Sequence, residues 1–227
     1  MDPKLILKII TDVIMTAVLL LLMVYSLIGE AAHEWLGLAM FALFVLHHIM
    51  NFAWLKTLFK GRYTPYRVYN TAINVLLIMI MLLLPVSGIM MSKHIFNFSY
   101  ISGMSIMRTV HLLTSYWGFI LMSVHVGNHI GAHITKKKAV FVGLCIIAIV
   151  VSIYGAYAFV KRDISSYLFL KNQFVFFDFA QPKLWLFVDF ASMICLFACV
   201  GACVSKGLKM LDKLKGKVNK DGQTKRI

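Results

Sequence analysis

Six runs of apolar residues, at about 6–28, 33–58, 71–92, 108–133, 139–160 and 184–204, divide this chain, and each is long enough to cross a bilayer. A spanning helix needs about 20 such residues. In hydrocarbon, every backbone N–H and C=O must be paired within the structure, so spanning segments are either helices or closed barrels. Runs of this length exceed barrel strands by a factor of about two. An all-α integral membrane protein with six transmembrane helices is therefore expected. Composition agrees, with 60% hydrophobic residues and a mean hydropathy of +0.82; soluble domains run at about 45–50%.

The net charge of +14 does not read as a nucleic-acid face, because the basic residues fall in short clusters between the apolar runs. Lys and Arg counted on alternate sides of the six spans number 17 against six. The positive-inside rule then puts both termini in the cytoplasm. A multi-pass membrane protein in contact with lipid is the expectation. The first run also has the look of a signal peptide, with Lys4 and Lys8 ahead of it and Gly29-Glu30-Ala31-Ala32 behind. Its length favours an uncleaved span. Asp12 within it has no partner legible in the sequence.

Residues 1–135 are expected to form a four-helix core from spans 1–4, and residues 136–205 to add two further helices joined by an aromatic loop at 161–183. Residues 206–227 form a basic tail, read as solvated. Pro85, followed by Ser87 and Gly88, is expected to kink the third span. Four cysteines lie in apolar stretches, three of them (Cys195, Cys199, Cys203) on one helical stripe, which favours packing against a neighbour. No Cys-x-x-Cys-His occurs, so covalent haem attachment of the c type is excluded.

Ionisable residues inside a span are costly and mark function. His33 and His47 are 14 residues apart on the second span, and His111 and His125 are 14 apart on the fourth. Both spans run inward, so they are parallel. Fourteen residues rise about 21 Å and return to nearly the same helix face. Two parallel helices thus offer histidines at two matched depths, which suits two b-type haems with bis-histidine ligation. His33 with His111 would hold the outer haem, and His47 with His125 the inner one.

Gly37 and Gly118 lie in register with these histidines, where a missing side chain would give a porphyrin room. Ordinary close helix packing is the alternative for both. His48 points about 100° away from His47. His129 continues the His125 face and suits a quinone contact, a propionate partner or a proton relay. Its use as the inner ligand would leave a mismatch of about 6 Å. His133 reads as interfacial, and His94 receives no role. Arg108, one turn before His111, is placed for an outer propionate, and Lys56, Lys60 and Arg62 lie near the inner end. A haem-free metal site or ion transporter, and scattered polar histidines, are the other readings of the pattern.

The stretches HEWLGLAMFALFVLHHIMN, LFKGRYTP, SYWGFILMSVHVGNH and KNQFVFFDF resemble the flavinylation-associated cytochromes, six-span bacterial membrane proteins. More distantly, the arrangement is similar to the cytochrome b subunits of formate dehydrogenases and hydrogenases. The resemblance implies a diheme conduit from the quinol pool to a flavinylated or other redox protein outside the membrane. It also implies roles for His33, His47, His111, His125 and His129, and favours His47 over His48 because Asn51 follows four residues later. The implied quinol site lies near His129, Asn51 and Asn74, and an outer site is the alternative. A self-contained oxidoreductase acting on superoxide or another small external acceptor is the other redox expectation.

Overall fold

A computed structural model of the chain describes residues 2–96, 104–130, 138–174 and 182–224. Among these there are helices and no strands: α1 (Pro3–Met23), α2 (Tyr25–Ile28), α3 (Glu30–Met50), α4 (Phe52–Thr57), α5 (Pro65–Met91), α6 (Met104–Ile130), α7 (Lys138–Lys161), α8 (Ile164–Leu168) and α9 (Lys183–Thr224). Five helices (α1, α3, α5, α7 and α9) are long and apolar enough to cross a membrane. This is the build of a multi-pass membrane protein, clad in exposed Leu, Ile, Val and Phe side chains suited to lipid.

α6 is as long as α5, but its histidines, hydroxyls and Arg108 dilute its apolar character, and it is not one of the five. Instead it lies packed between α5 and α9. Phe119 is fully enclosed on its α9 side, edge-on to Phe190 at a centroid separation of 5.4 Å.

Local signals set the helix ends. Asp2 caps α1 by accepting from the Lys4 N–H at 3.0 Å, with Pro3 in the first turn. Thr64 and Pro65 repeat the device at the start of α5. Gly29 turns the chain between α2 and α3 at φ +82°, a conformation that other residues rarely adopt. The second span expected at 33–58 is divided in the structure, because α3 stops at Asn51 and α4 follows as a separate short turn.

α5 runs on through Pro85, where the Ser87 hydroxyl donates to the Leu83 and Leu84 carbonyls. The basic tail expected beyond residue 205 continues α9 as helix to Thr224. Lys209 of this extension stands 4.4 Å from the centre of the Tyr66 ring, tying it to the start of α5.

The start of α3 and the end of α5 are stapled together by acidic groups of α3. Glu34 accepts the Ser92 hydroxyl and the backbone N–H groups of Lys93, His94 and Ile95. Glu30 pairs with Lys93 at 2.7 Å and holds its ammonium above the ordinary lysine range. In the loop after α7, α8 tucks inward: Tyr167 stacks on Tyr116 at 4.6 Å and Trp117 donates to the Leu168 carbonyl at 3.0 Å. The aromatic loop expected at 161–183 is thus anchored in its first half, and its residues 175–181 lie outside the described residues.

Candidate functional site: two facing histidine pairs

α3 packs closely on α1 and α5, and α6 on α5 and α9, but α3 and α6 have no comparable backbone contact. They face one another through side chains. His33 meets His111 with ring centroids 6.2 Å apart, and His47 meets His125 at 6.5 Å. First pairs with first and second with second, so the two helices run parallel and the equal intervals place both pairs in register.

The ring nitrogens are held in a consistent way. His111 Nδ1 lies 3.0 Å from Ser87 Oγ, His125 Nδ1 is 3.0 Å from Asn74 Oδ1, and His47 Nδ1 is 2.8 Å from Asp12 Oδ1. Gly88 leaves space beside the His111 ring, since a Cβ there would already be in contact with the imidazole at 3.5 Å. His33 Nδ1 is buried, with the backbone of Leu22 as a neighbour of the ring and no ionised hydrogen-bond partner among the described residues. The side-chain hydrogen bonds described for His47, His111 and His125 run through Nδ1, and the Leu84 backbone is a further neighbour of the His111 ring. Metal-bound histidines commonly anchor one ring nitrogen in this way while the other binds.

Neighbouring groups divide into those aimed at the pairs and those turned aside. His48 bonds its own helix at the Phe44 carbonyl, 2.9 Å away, and stacks on Phe44 at 4.2 Å. His129 is exposed and its ring lies 4.7 Å from that of His125. Asn51 donates to the His47 carbonyl at 2.9 Å and accepts from Lys8 at 3.1 Å.

Gly37 faces open space. Gly118 faces α5, where a Cβ would press on Ile80 at 2.9 Å, so in this structure it serves the approach of α5 to α6. Arg108 is exposed at the start of α6, its guanidinium 5.8 Å from the centre of the Phe174 ring. Lys56 stands 5.2 Å from the Phe52 ring, and Lys60 and Arg62 are exposed in the turn before α5. His133 lies outside the described residues.

No family model, curated protein or solved structure matches the chain.

The geometry itself therefore has to say what these pairs can hold. An imidazole nitrogen binds a metal at about 2 Å and sits about 1 Å from the ring centre, so two imidazoles on opposite sides of one metal have centroids about 6 Å apart. Both pairs meet that separation. Their interplanar angles of 70° and 72° are no obstacle, since each ring is free to turn about its metal–nitrogen bond. A zinc site would instead need four ligands gathered round one point. Among the described residues the one such gathering of three or more potential ligands is Glu30, Glu34 and His94, outside the histidine pairs. Both oxygens of Glu34 already accept hydrogen bonds there. The donor set in the interior fits two bis-imidazole haems.

Sequence reasoning missed the Nδ1 partners as a set. Ser87 and Gly88 were noticed only as helix breakers, and Asp12 as an acid without a partner.

Proposed function

We propose that the chain is a diheme b-type cytochrome that conducts electrons across the bacterial cytoplasmic membrane, from the quinol pool to an extracytoplasmic redox protein, a flavinylated one on the family resemblance. The observation that carries this is the pair of separations, 6.2 Å for His33–His111 and 6.5 Å for His47–His125, on two helices without close backbone contact. In this proposal α6 is the sixth span, carrying its polar side chains inside the bundle, and both termini are cytoplasmic.

When bound, haem iron supplies the one-electron chemistry, because it is stable in both ferric and ferrous states. The protein's own part is ligation and orientation. His33 and His111 hold the outer group and His47 and His125 the inner one, each through Nε2 where Nδ1 is anchored. Ser87, Asn74 and Asp12 fix the tautomers, and apolar side chains such as Met40, Phe44 and Met81 keep water from the space between the pairs. His129, beside His125, with Asn51 and Asn74, offers polar contacts for a quinol headgroup at the inner end. Arg108 offers a cation for a propionate at the outer end.

A stopped-flow experiment on the purified full-length protein tests this. A quinol analogue should reduce both haems, and ferricyanide should then reoxidise them. His111→Ala should leave quinol reduction of the inner group and slow onward transfer by at least about tenfold. Reduction by superoxide but not by quinol would contradict the proposal and favour an oxidoreductase acting on an external substrate.

A further inference from the structure

We propose that Asp12 sets the inner haem as the lower-potential member of the pair, so that an electron delivered at His47–His125 runs downhill to His33–His111. This rests on the diheme function proposed here and adds a direction to it.

The four Nδ1 environments differ in charge. His111 has a neutral hydroxyl, His125 a neutral amide and His33 no ionised hydrogen-bond partner among the described residues. His47 alone among them has a carboxylate, Asp12 Oδ1 at 2.8 Å. Asp12 reaches it from α1, which packs along α3.

A carboxylate accepting from Nδ1–H draws the proton toward itself and makes Nε2 a stronger electron donor. It also places a negative charge beside the metal. Both effects favour the ferric state, which carries one more positive charge than the ferrous, and so lower the potential. The nearest cation on the same helix does not cancel this by direct pairing, since Lys8 directs its ammonium to Asn51 Oδ1 at 3.1 Å. His48 bonds the Phe44 carbonyl.

At the outer end the acids are engaged elsewhere: Glu34 accepts from Ser92 and the backbone of residues 93–95, and Glu30 pairs with Lys93. Neither carboxylate hydrogen-bonds the His33 or His111 ring; Glu34 acts on His33 only through space, with its charge already met by four donors. Arg108, at the head of α6, adds positive charge to that end, while Lys56, Lys60 and Arg62 near the inner end are exposed and, among the described residues, make no ion pair with Asp12. With haems bound, His47 and His125 would hold the group that receives each electron, and His33 and His111 the group that passes it on. One quinol, oxidised to quinone with release of two protons, would supply two electrons in succession, and two equivalents of an external one-electron oxidant would take them up.

Asp12→Asn keeps an oxygen acceptor for Nδ1–H and removes the charge, so it separates the electrostatic role from a packing role. The test is a redox titration of the full-length protein, followed in the visible haem bands, for wild type, Asp12→Asn and Asp12→Glu. His111→Ala, which keeps the inner haem, assigns the components. The wild type should show two midpoints, the lower one inner. Asp12→Asn should retain both haems and raise only the lower midpoint, changing the inner-to-outer equilibrium constant about tenfold or more. Asp12→Glu should bring it back toward the wild-type value.

If Asp12→Asn loses the inner haem, Asp12→Glu decides. Rebinding at a low midpoint supports the proposal, and rebinding at or above the outer midpoint overturns it. An unmoved lower midpoint in Asp12→Asn, or a shift confined to the outer component, overturns the role of Asp12 and leaves the diheme function standing. A wild-type protein that binds no haem overturns both.

Discussion

Asp189 of α9 has no exposed side-chain surface, yet it carries a carboxylate. It is tolerated there because Tyr154 donates to it at 2.6 Å, Arg162 at 2.6 and 2.7 Å, and Lys161 at 3.3 Å. A buried pair adds little over an apolar contact, but breaking one leaves an uncompensated charge and costs about 3–5 kcal/mol. Asp189→Ala should therefore lower the thermal midpoint of the detergent-solubilised protein sharply. Lys161→Gln should cost about 1 kcal/mol or less, because its ammonium is already partly solvated. Similar midpoints for the two variants would contradict this account.

The same scale shows what the sequence could disclose. The four ligand candidates were legible because a 14-residue interval on a helix is a statement about geometry, repeated on two helices. Asp12 and Ser87 were visible as residues but not as partners, because the neighbour a side chain meets depends on helix rotation and packing, which no local pattern encodes.

At the scale of the element, α9 is held by glycines rather than by side-chain bulk. A Cβ on Gly127 of α6 would collide with the Ala198 backbone, one on Gly201 with that of Val124, and one on Gly155 of α7 with that of Ser192. These backbones approach so closely that dispersion contacts replace a hydrophobic driving force, which is absent between helices in lipid. Gly127→Leu should force α6 from α9 and destabilise the protein by about 1–3 kcal/mol or more. Gly143→Ala, facing open space on α7, should stay within about 0.5 kcal/mol of wild type. Melting curves of the two variants check this, and a harmless Gly127→Leu would contradict it.

None of the three glycines was singled out in the sequence, since an isolated glycine in an apolar run has no register to mark its face. The spacing of the cysteine stripe favours packing, and Cys195 lies against α7, 3.7 Å from the Ala148 carbonyl. Helix existence and order followed from run length. The stop at Asn51, the inward tuck of α8 and the helical extension of α9 did not, because each depends on contacts between elements.

For the molecule as a whole, the arrangement is a layered one. α9, backed by α7, lies on one side of α6, α5 lies along it, and α1 with α3 faces it across the histidine pairs. The paired histidine rings are gathered at that facing zone and apolar side chains at the outside, and α6, which carries two of the four rings, is well enclosed between α5 and α9. In the proposed reading this plan suits a cofactor-filled interior, because the two imidazole pairs each span one metal's width and, among the described residues, no four such ligands converge.

The central claim is that those two pairs ligate two haems. Its most direct test is the haem content and the dithionite-reduced minus oxidised visible spectrum of the purified full-length protein and its His111→Ala and His125→Ala variants. Two b-type haems per chain, falling to one in each variant with a different component lost, is the predicted result. A wild-type spectrum without a b-type α-band, or variants that keep both haems, would contradict it.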